Sequence, residues 1–263
     1  MRFETRNSYV KFPTRLVIAS FLILAEINPA RAVPPLITDD ADTVEPGQWQ
    51  INTGSLFVRT ASEQLFLFPV NLVTGLSSRG EVGVTLGYQV RDGTGSAPEK
   101  GDATGVTDLF LETKWRLWQA EDEKFKVSTR LDLKLPTASR SRGFGTGDLD
   151  AGVVLIATRS WGKTEIDWNL GYIAVDPSRG LARDDRWFFG QALRQKLNDR
   201  WTFISETFAI VPNTGAGGSS NFHFNAGAQF TIRENLIIWA LLGSAAGHHS
   251  PDLTSFFGMT VVF

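Results

Sequence analysis

The chain has 263 residues, 42% of them hydrophobic, with 25 Gly, 19 Phe, 8 Trp and no Cys. The lack of Cys excludes a disulfide scaffold, a zinc-thiolate centre, an iron-sulfur cluster and a cysteine nucleophile, and three His leave little for a His-rich metal site. The net charge is -2; beyond residue 32 there remain 21 Lys/Arg against 26 Asp/Glu, a balance that argues against a nucleic-acid partner.

The first segment reads as an export signal. Arg2, Arg6, Lys11 and Arg15 precede the apolar run Leu16 to Ala25, and Ala30-Arg31-Ala32 supplies small residues at a cleavage site, so residues 1–32 are expected to be removed and the mature chain to begin at Val33. The run is too short for a spanning helix, which needs about 20 residues. Residues 33–47 then read as an exposed lead-in on the periplasmic side. Within them Asp39-Asp40-Ala41-Asp42 lacks the alternating oxygens, central Gly and final Glu of a calcium loop.

From Trp49 onward apolar side chains fall at every second position, the period of a strand with one apolar face. Twelve such segments are predicted: 48–58, 65–75, 81–90, 107–117, 125–135, 148–158, 164–175, 186–197, 201–211, 221–232, 235–246 and 254–263. Long connections rich in Gly, Ser, Pro and charge tend to alternate with short ones. This is the asymmetry of an all-β, twelve-stranded antiparallel transmembrane up-and-down β-barrel over residues 48–263, with both ends of the chain on the periplasmic side.

A soluble barrel would turn the same apolar face inward, and three features decide against that. Trp49, Trp115, Trp118, Trp161 and Trp201 fall at one set of strand ends and Tyr88, Tyr172 and Trp187 at the other, as two interfacial girdles would. The charged residues of several strands share one face. The chain ends in an alternating strand at Phe263, a terminal aromatic resembling the signal that barrel-assembly machinery reads. The partners expected are therefore outer-membrane lipid, that machinery and an unidentified small solute.

The lumen-lining set predicted from the alternation is Asp108, Glu112, Arg116, Lys126, Arg130, Lys134, Glu165, Asp167, Arg194 and Lys196. Opposite charges suggest the register. A sum of 242 sets Glu112 opposite Arg130 and Asp108 opposite Lys134; a sum of 361 sets Glu165 opposite Lys196 and Asp167 opposite Arg194. The result would be a charge-compensated, narrow polar path, further narrowed by inward side chains or by segment 33–48. Segment 201–211 departs from the pattern: Ile204, Phe208 and Ile210 share a face with Glu206, so either that wall is partly apolar or its register differs.

Other local patterns carry no chemistry. Gly93-Thr94-Gly95 and Gly143-Phe144-Gly145 lack the following helix of a dinucleotide fingerprint. His223 has no second ligand spaced to join it. His248 and Ser250 have the spacing of an outer-membrane acyl hydrolase, but in a loop and with only Asp252 nearby to orient the imidazole. No cofactor, metal or catalytic group is expected.

From Leu36 to Phe263 the chain resembles the outer-membrane family named after the meta-pathway of phenol degradation. The resemblance rests on Leu36 to Thr43 with Glu45-Pro46-Gly47, on Lys134-Leu135-Pro136-Thr137, on Gly145-Thr146-Gly147-Asp148, on Asn169-Leu170-Gly171-Tyr172 and on Leu197-Asn198-Asp199-Arg200. It implies a channel or transport component for small hydrophobic or aromatic solutes and supplies no catalytic residues. The rival readings are a non-conducting barrel that works through its loops, and the acyl hydrolase.

Overall fold

The computed structural model describes residues 36–61, 63–93, 103–142, 144, 145, 147–175, 185–213, 221–247 and 250–263. The segment 1–32 expected to act as an export signal, Thr94, Gly95, Gly143 and His248 lie outside the described residues. Thirteen strand segments form one antiparallel sheet among those described: β1 (Trp49–Arg59), β2 (Glu63–Ser77), β3 (Gly80–Gly93), β4 (Ala103–Val106), β5 (Leu109–Gln119), β6 (Phe125–Leu135), β7 (Asp150–Trp161), β8 (Thr164–Val175), β9 (Arg186–Lys196), β10 (Trp201–Pro212), β11 (Asn221–Arg233), β12 (Leu236–Ala246) and β13 (Leu253–Val262).

β4 and β5 share one position in the wall. Both pair with β3, through Tyr88↔Val106 and Thr85↔Phe110, and Thr107-Asp108 interrupts them. At the interruption the Thr107 amide donates to the Gly87 carbonyl at 2.8 Å, so the ladder is continuous although the strand is not. The wall thus has the twelve positions expected. β1 pairs with both β2 and β13, and β2 with β3, which closes the sheet and leaves no edge.

The outward face is the apolar one. On β7, Val153 and Leu155 are 45% and 48% exposed, and Val82, Leu131, Leu170, Phe203 and Phe257 are exposed on other strands. Trp49, Trp115, Trp118, Trp161 and Trp201 ring the short-turn end, while Tyr88 and Trp187 stand exposed toward the other, with Tyr172 edge-on to Trp187 at 5.0 Å. A bulge between Arg116 and Trp118 turns Leu117 and Trp118 outward together, adding an apolar residue to the belt without reversing the inward Glu112-Lys114-Arg116 series. An apolar band bounded by aromatic rims, around an interior rich in ionic groups, is the arrangement of a membrane-spanning barrel.

Inside, β10 resolves the question left by its sequence. Ile204, Glu206 and Phe208 are all buried on one face, so the lumen wall there is partly apolar and the alternation holds. Ile237, Trp239 and Leu241 of β12 join it, with Phe256 of β13 packed against them. The Trp239 indole lies over Gly258, directly opposite on β13, where a Cβ would stand 2.5 Å from the ring. Replacing Gly258 by Val is therefore expected to push Trp239 from the wall and destabilise the barrel by about 1–3 kcal/mol. The measurement is the temperature at which the unboiled, fast-migrating form is lost on a detergent gel. Gly152→Ala, where the nearest atom stands 3.6 Å from the new Cβ, should change it little.

Candidate functional site

The segment before β1 is a strap across the lumen, and the expectation of an exposed lead-in is corrected on this point. Gly47 (φ +81°) turns the chain back, Pro46 bridges Gly75 in parallel, and residues 36–44 run inward from the short-turn end to the opposite wall. Thr38, Asp39, Asp40 and Ala41 are all buried.

An irregular backbone inside a barrel must find a partner for each buried N–H and C=O, and side chains from different strands provide them. Thr38 N donates to Glu206 Oε2 of β10 at 2.9 Å. Asp39 N donates to Asn169 Oδ1 of β8, and Asn169 Nδ2 returns a bond to the Asp39 carbonyl, both at 2.8 Å. The Asp40 carbonyl accepts from Lys114 Nζ of β5 at 3.2 Å. Ala41 N donates to Thr158 Oγ1 of β7 at 2.8 Å, and Ser128 Oγ of β6 donates to the Ala41 carbonyl at 2.6 Å. Val44 N donates to Glu81 Oε2 of β3 at 2.5 Å. Close approach is possible at β9 because Gly190 faces Thr38, whose hydroxyl would lie 2.6 Å from a Cβ there.

The strap's carboxylates meet the cations of the wall. Asp39 lies 3.2 Å from Lys114 and 2.9 Å from Arg130; Asp40 is 3.3 Å from Arg194; Asp42 is 2.5 Å from Lys126 and 3.5 Å from Arg116. Wall carboxylates complete the set, with Glu81 at 3.3 Å from Lys114, Asp132 at 2.9 Å from Arg130, and Asp167 and Glu165 at 2.6 and 3.0 Å from Arg194.

The structure places the predicted lumen residues as follows. Arg116, Lys126, Arg130, Glu165, Asp167 and Arg194 join the cluster around the strap. Glu112 accepts a bond from Asn71 Nδ2 at 2.6 Å. Asp108 and Lys134 lie 3.7 Å apart near the long-connection end, where Lys134 also pairs with Asp150. Lys196 is exposed at the turn-side end of β9.

Both expected registers are off by two residues. Glu112 faces Asp132 and Lys114 faces Arg130 across β5 and β6; Glu165 faces Arg194 and Asp167 faces Ala192 across β8 and β9. A shift of two keeps every side chain on its face. It was invisible to charge matching because long side chains reach diagonal neighbours: Asp167 meets Arg194, and Asp108 meets Lys134, without standing opposite. Lys114 was missed, although the alternation that placed Glu112 and Arg116 inward places it between them.

Asp39→Ala removes the carboxylate shared by Lys114 and Arg130, and breaking one side of such buried pairs costs about 3–5 kcal/mol. The expected outcome is faster amide hydrogen exchange in residues 38–44, read by mass spectrometry, with the exchange of β7 and β8 unchanged.

Comparison with known proteins agrees with this architecture. An outer membrane channel from Pseudomonas putida F1 superposes with a TM-score of 0.73 at 14% identity, covering 88% of this chain and 100% of that one. The NanC porin matches with a TM-score of 0.57 at 8% identity over 80% of this chain and 98% of its own. The CymD monoaromatic hydrocarbon channel matches with a TM-score of 0.50 at 8% identity over 84% and 89%. At these identities the likeness shows the fold. A search of curated proteins returns no significant match. A family model, however, covers residues 35–261, most of this chain, and the chain belongs to the family it describes, "Putative MetA-pathway of phenol degradation".

Proposed function

We propose that the protein is an outer-membrane channel for small, uncharged, largely apolar solutes, aromatic rings among them, with the strap as its constriction. The observation that carries the reading is the division of the lumen. Wall strands β3 and β5 to β8, with Arg194 of β9 and Glu206 of β10, hold the strap's backbone and carboxylates, whereas the apolar inward side chains gather on β9 to β13 as Phe188, Phe208, Ile204, Trp239, Leu241 and Phe256, with Val154 and Ile156 of β7 beside them. A water-filled ion pore has no use for such a wall; a path for apolar solutes does. On β10 and β11, Phe208 and His223 stack with ring centres 4.3 Å apart and planes 6° from parallel, beside Phe188.

The mouth has the same character. The connection after β6 folds inward: Ala138 N donates to Asp108 Oδ1 at 2.9 Å, and Phe144 is buried over Gly105. Below it an open pocket of about 430 Å³ is lined by Leu67, Pro69, Phe110 and Phe144 together with Asp108 and Lys134. Family membership and the likeness to the Pseudomonas outer membrane channel and the CymD monoaromatic hydrocarbon channel support the reading. It includes removal of residues 1–32 on export and recognition of Phe263 by the assembly machinery.

The test uses the mature protein in planar bilayers and in liposomes. Wild type should show small, brief ionic conductance and, in liposomes with an outer leaflet of lipopolysaccharide, should admit toluene faster than protein-free liposomes of the same composition do, while leaving the entry of sugars of similar size at the protein-free rate. Deleting residues 36–44 should enlarge the conductance several-fold. If neither form passes any solute, the barrel is a structural or surface protein and the proposal is wrong.

A further inference from the structure

Four buried side-chain nitrogens among the described residues have no hydrogen-bond acceptor, and they belong to one sector of the wall: Arg194 Nε and Nη2 on β9, Gln229 Nε2 on β11 and Trp239 Nε1 on β12. Arg194 has its charge met by Asp40, Glu165 and Asp167. Gln229 and Trp239 have no such compensation. Each is only 8% exposed, and a buried N–H without an acceptor calls for a missing partner.

These two residues stand directly opposite each other across β11 and β12 and both point inward. Side chains so paired have Cβ atoms about 4.5–5.5 Å apart. A carbonyl or hydroxyl oxygen has two lone pairs and satisfies both. Next to them Ala192, Ile204, Ile237 and Leu241 form an apolar hollow, and the side chain filling it is Leu36 of the strap. From Thr38 to Val44 the strap is tied by hydrogen bonds and ion pairs; Leu36 packs into this hollow through apolar contact.

We propose that the Leu36 hollow is a solute site, for an uncharged molecule carrying an apolar ring and one carbonyl or hydroxyl oxygen. The ring takes the place of Leu36 against Ile204, Ile237 and Leu241, and the oxygen accepts from Trp239 Nε1 and Gln229 Nε2. An anion fits poorly, because the Arg194 charge is already shared among three carboxylates and Glu206 adds another negative group on β10. The inference rests on the channel reading and deepens it by naming the solute class and its seat.

The experiment compares acetophenone, ethylbenzene and benzoate by equilibrium dialysis against the mature protein in lipid nanodiscs, with empty discs as the control. The first two are alike in shape and differ in the acceptor oxygen. Acetophenone should bind about tenfold more tightly than ethylbenzene, the effect of one to two hydrogen bonds, and benzoate more weakly than acetophenone. Trp239→Phe and Gln229→Met should each remove most of the preference for acetophenone while leaving ethylbenzene unchanged, and Leu36→Ala should strengthen binding of both. Migration of unboiled protein on a detergent gel verifies that each variant keeps its barrel, and Gln229→Met, which leaves the Trp239 packing intact, serves if Trp239→Phe does not. Equal binding of acetophenone and ethylbenzene, or a preference that survives both donor substitutions, would overturn the inference. If that happens while the protein still speeds toluene entry into liposomes, the channel reading stands alone; if the preference appears but the protein speeds no solute across, the site stands and the channel reading falls.

Discussion

Lys114 and Arg130 face each other across β5 and β6, two cations directly opposed inside the barrel, and the Asp39 carboxylate lies between them. At 4 Å two like charges repel by about 4 kcal/mol at an effective dielectric constant near 20, so the pairing is tolerable only with a counter-charge in place. The strands contribute Glu81 and Asp132 at the sides, but the residue that touches both cations comes from outside the sheet. The same dependence recurs at Arg116 and Lys126, which share Asp42, and at Arg194, which reaches Asp40. The strap is thus an ionic component of the wall, and the ladder of β5 to β9 carries a charge pattern that is complete only when the strap is seated.

That constraint fixes what the rest of the lumen does. A backbone that donates to Asn169, Thr158 and Glu81 and accepts from Ser128 on one side meets a single carboxylate, Glu206, on the other, and apolar residues fill the rest of the space around it. Ala41 packs with Val154, Ile156, Phe188 and Phe208, and Leu36 with Ile204 and Trp239. Two kinds of attachment therefore coexist along one short segment. The ionic part is expensive to detach because the wall cations left behind, Lys114 and Arg130 above all, would lose a counter-charge inside the barrel. The apolar contact of Leu36 is cheaper to give up, since a solute of similar volume replaces it.

The fold was legible because alternation survives any error in register. Strands β6 and β8 have the bounds their period predicts, and the inward face of β5 follows from Glu112 and Arg116. The interruption at Thr107-Asp108 was not legible, since the one-residue shift it inserts against β3 leaves no mark in the alternation of β5 itself. Register was not legible either. Charge matching assumes that partners stand opposite, but β5 and β6 place Glu112 against Asp132, a pairing that only third parties, Asn71 for Glu112 and Arg130 for Asp132, make acceptable. Those third parties are distant in sequence. For the strap, three carboxylates in a row of four residues resemble a solvated stretch, and nothing local says that the matching cations lie on β5, β6 and β9.

The vertical order of groups on β10 shows how a polar belt and an apolar path can share one lumen. From the short-turn end the inward residues are Ile204, Glu206, Phe208 and Ile210. Glu206 is fully engaged, accepting from Thr38 N at 2.9 Å and from Asn225 Nδ2 at 2.8 Å, while Thr254 donates to Asn225 Oδ1 at 3.1 Å. A carboxylate whose lone pairs are met by fixed donors holds little attraction for a passing solute or for water. Above it stands the Phe208-His223 stack and below it the hollow of Leu36, two apolar stations separated by a belt whose hydrogen bonds are already made. Polar groups in this wall therefore hold the strap and leave the selection of solutes to the apolar surfaces on either side, and at the lower station to the unmet donors of Gln229 and Trp239.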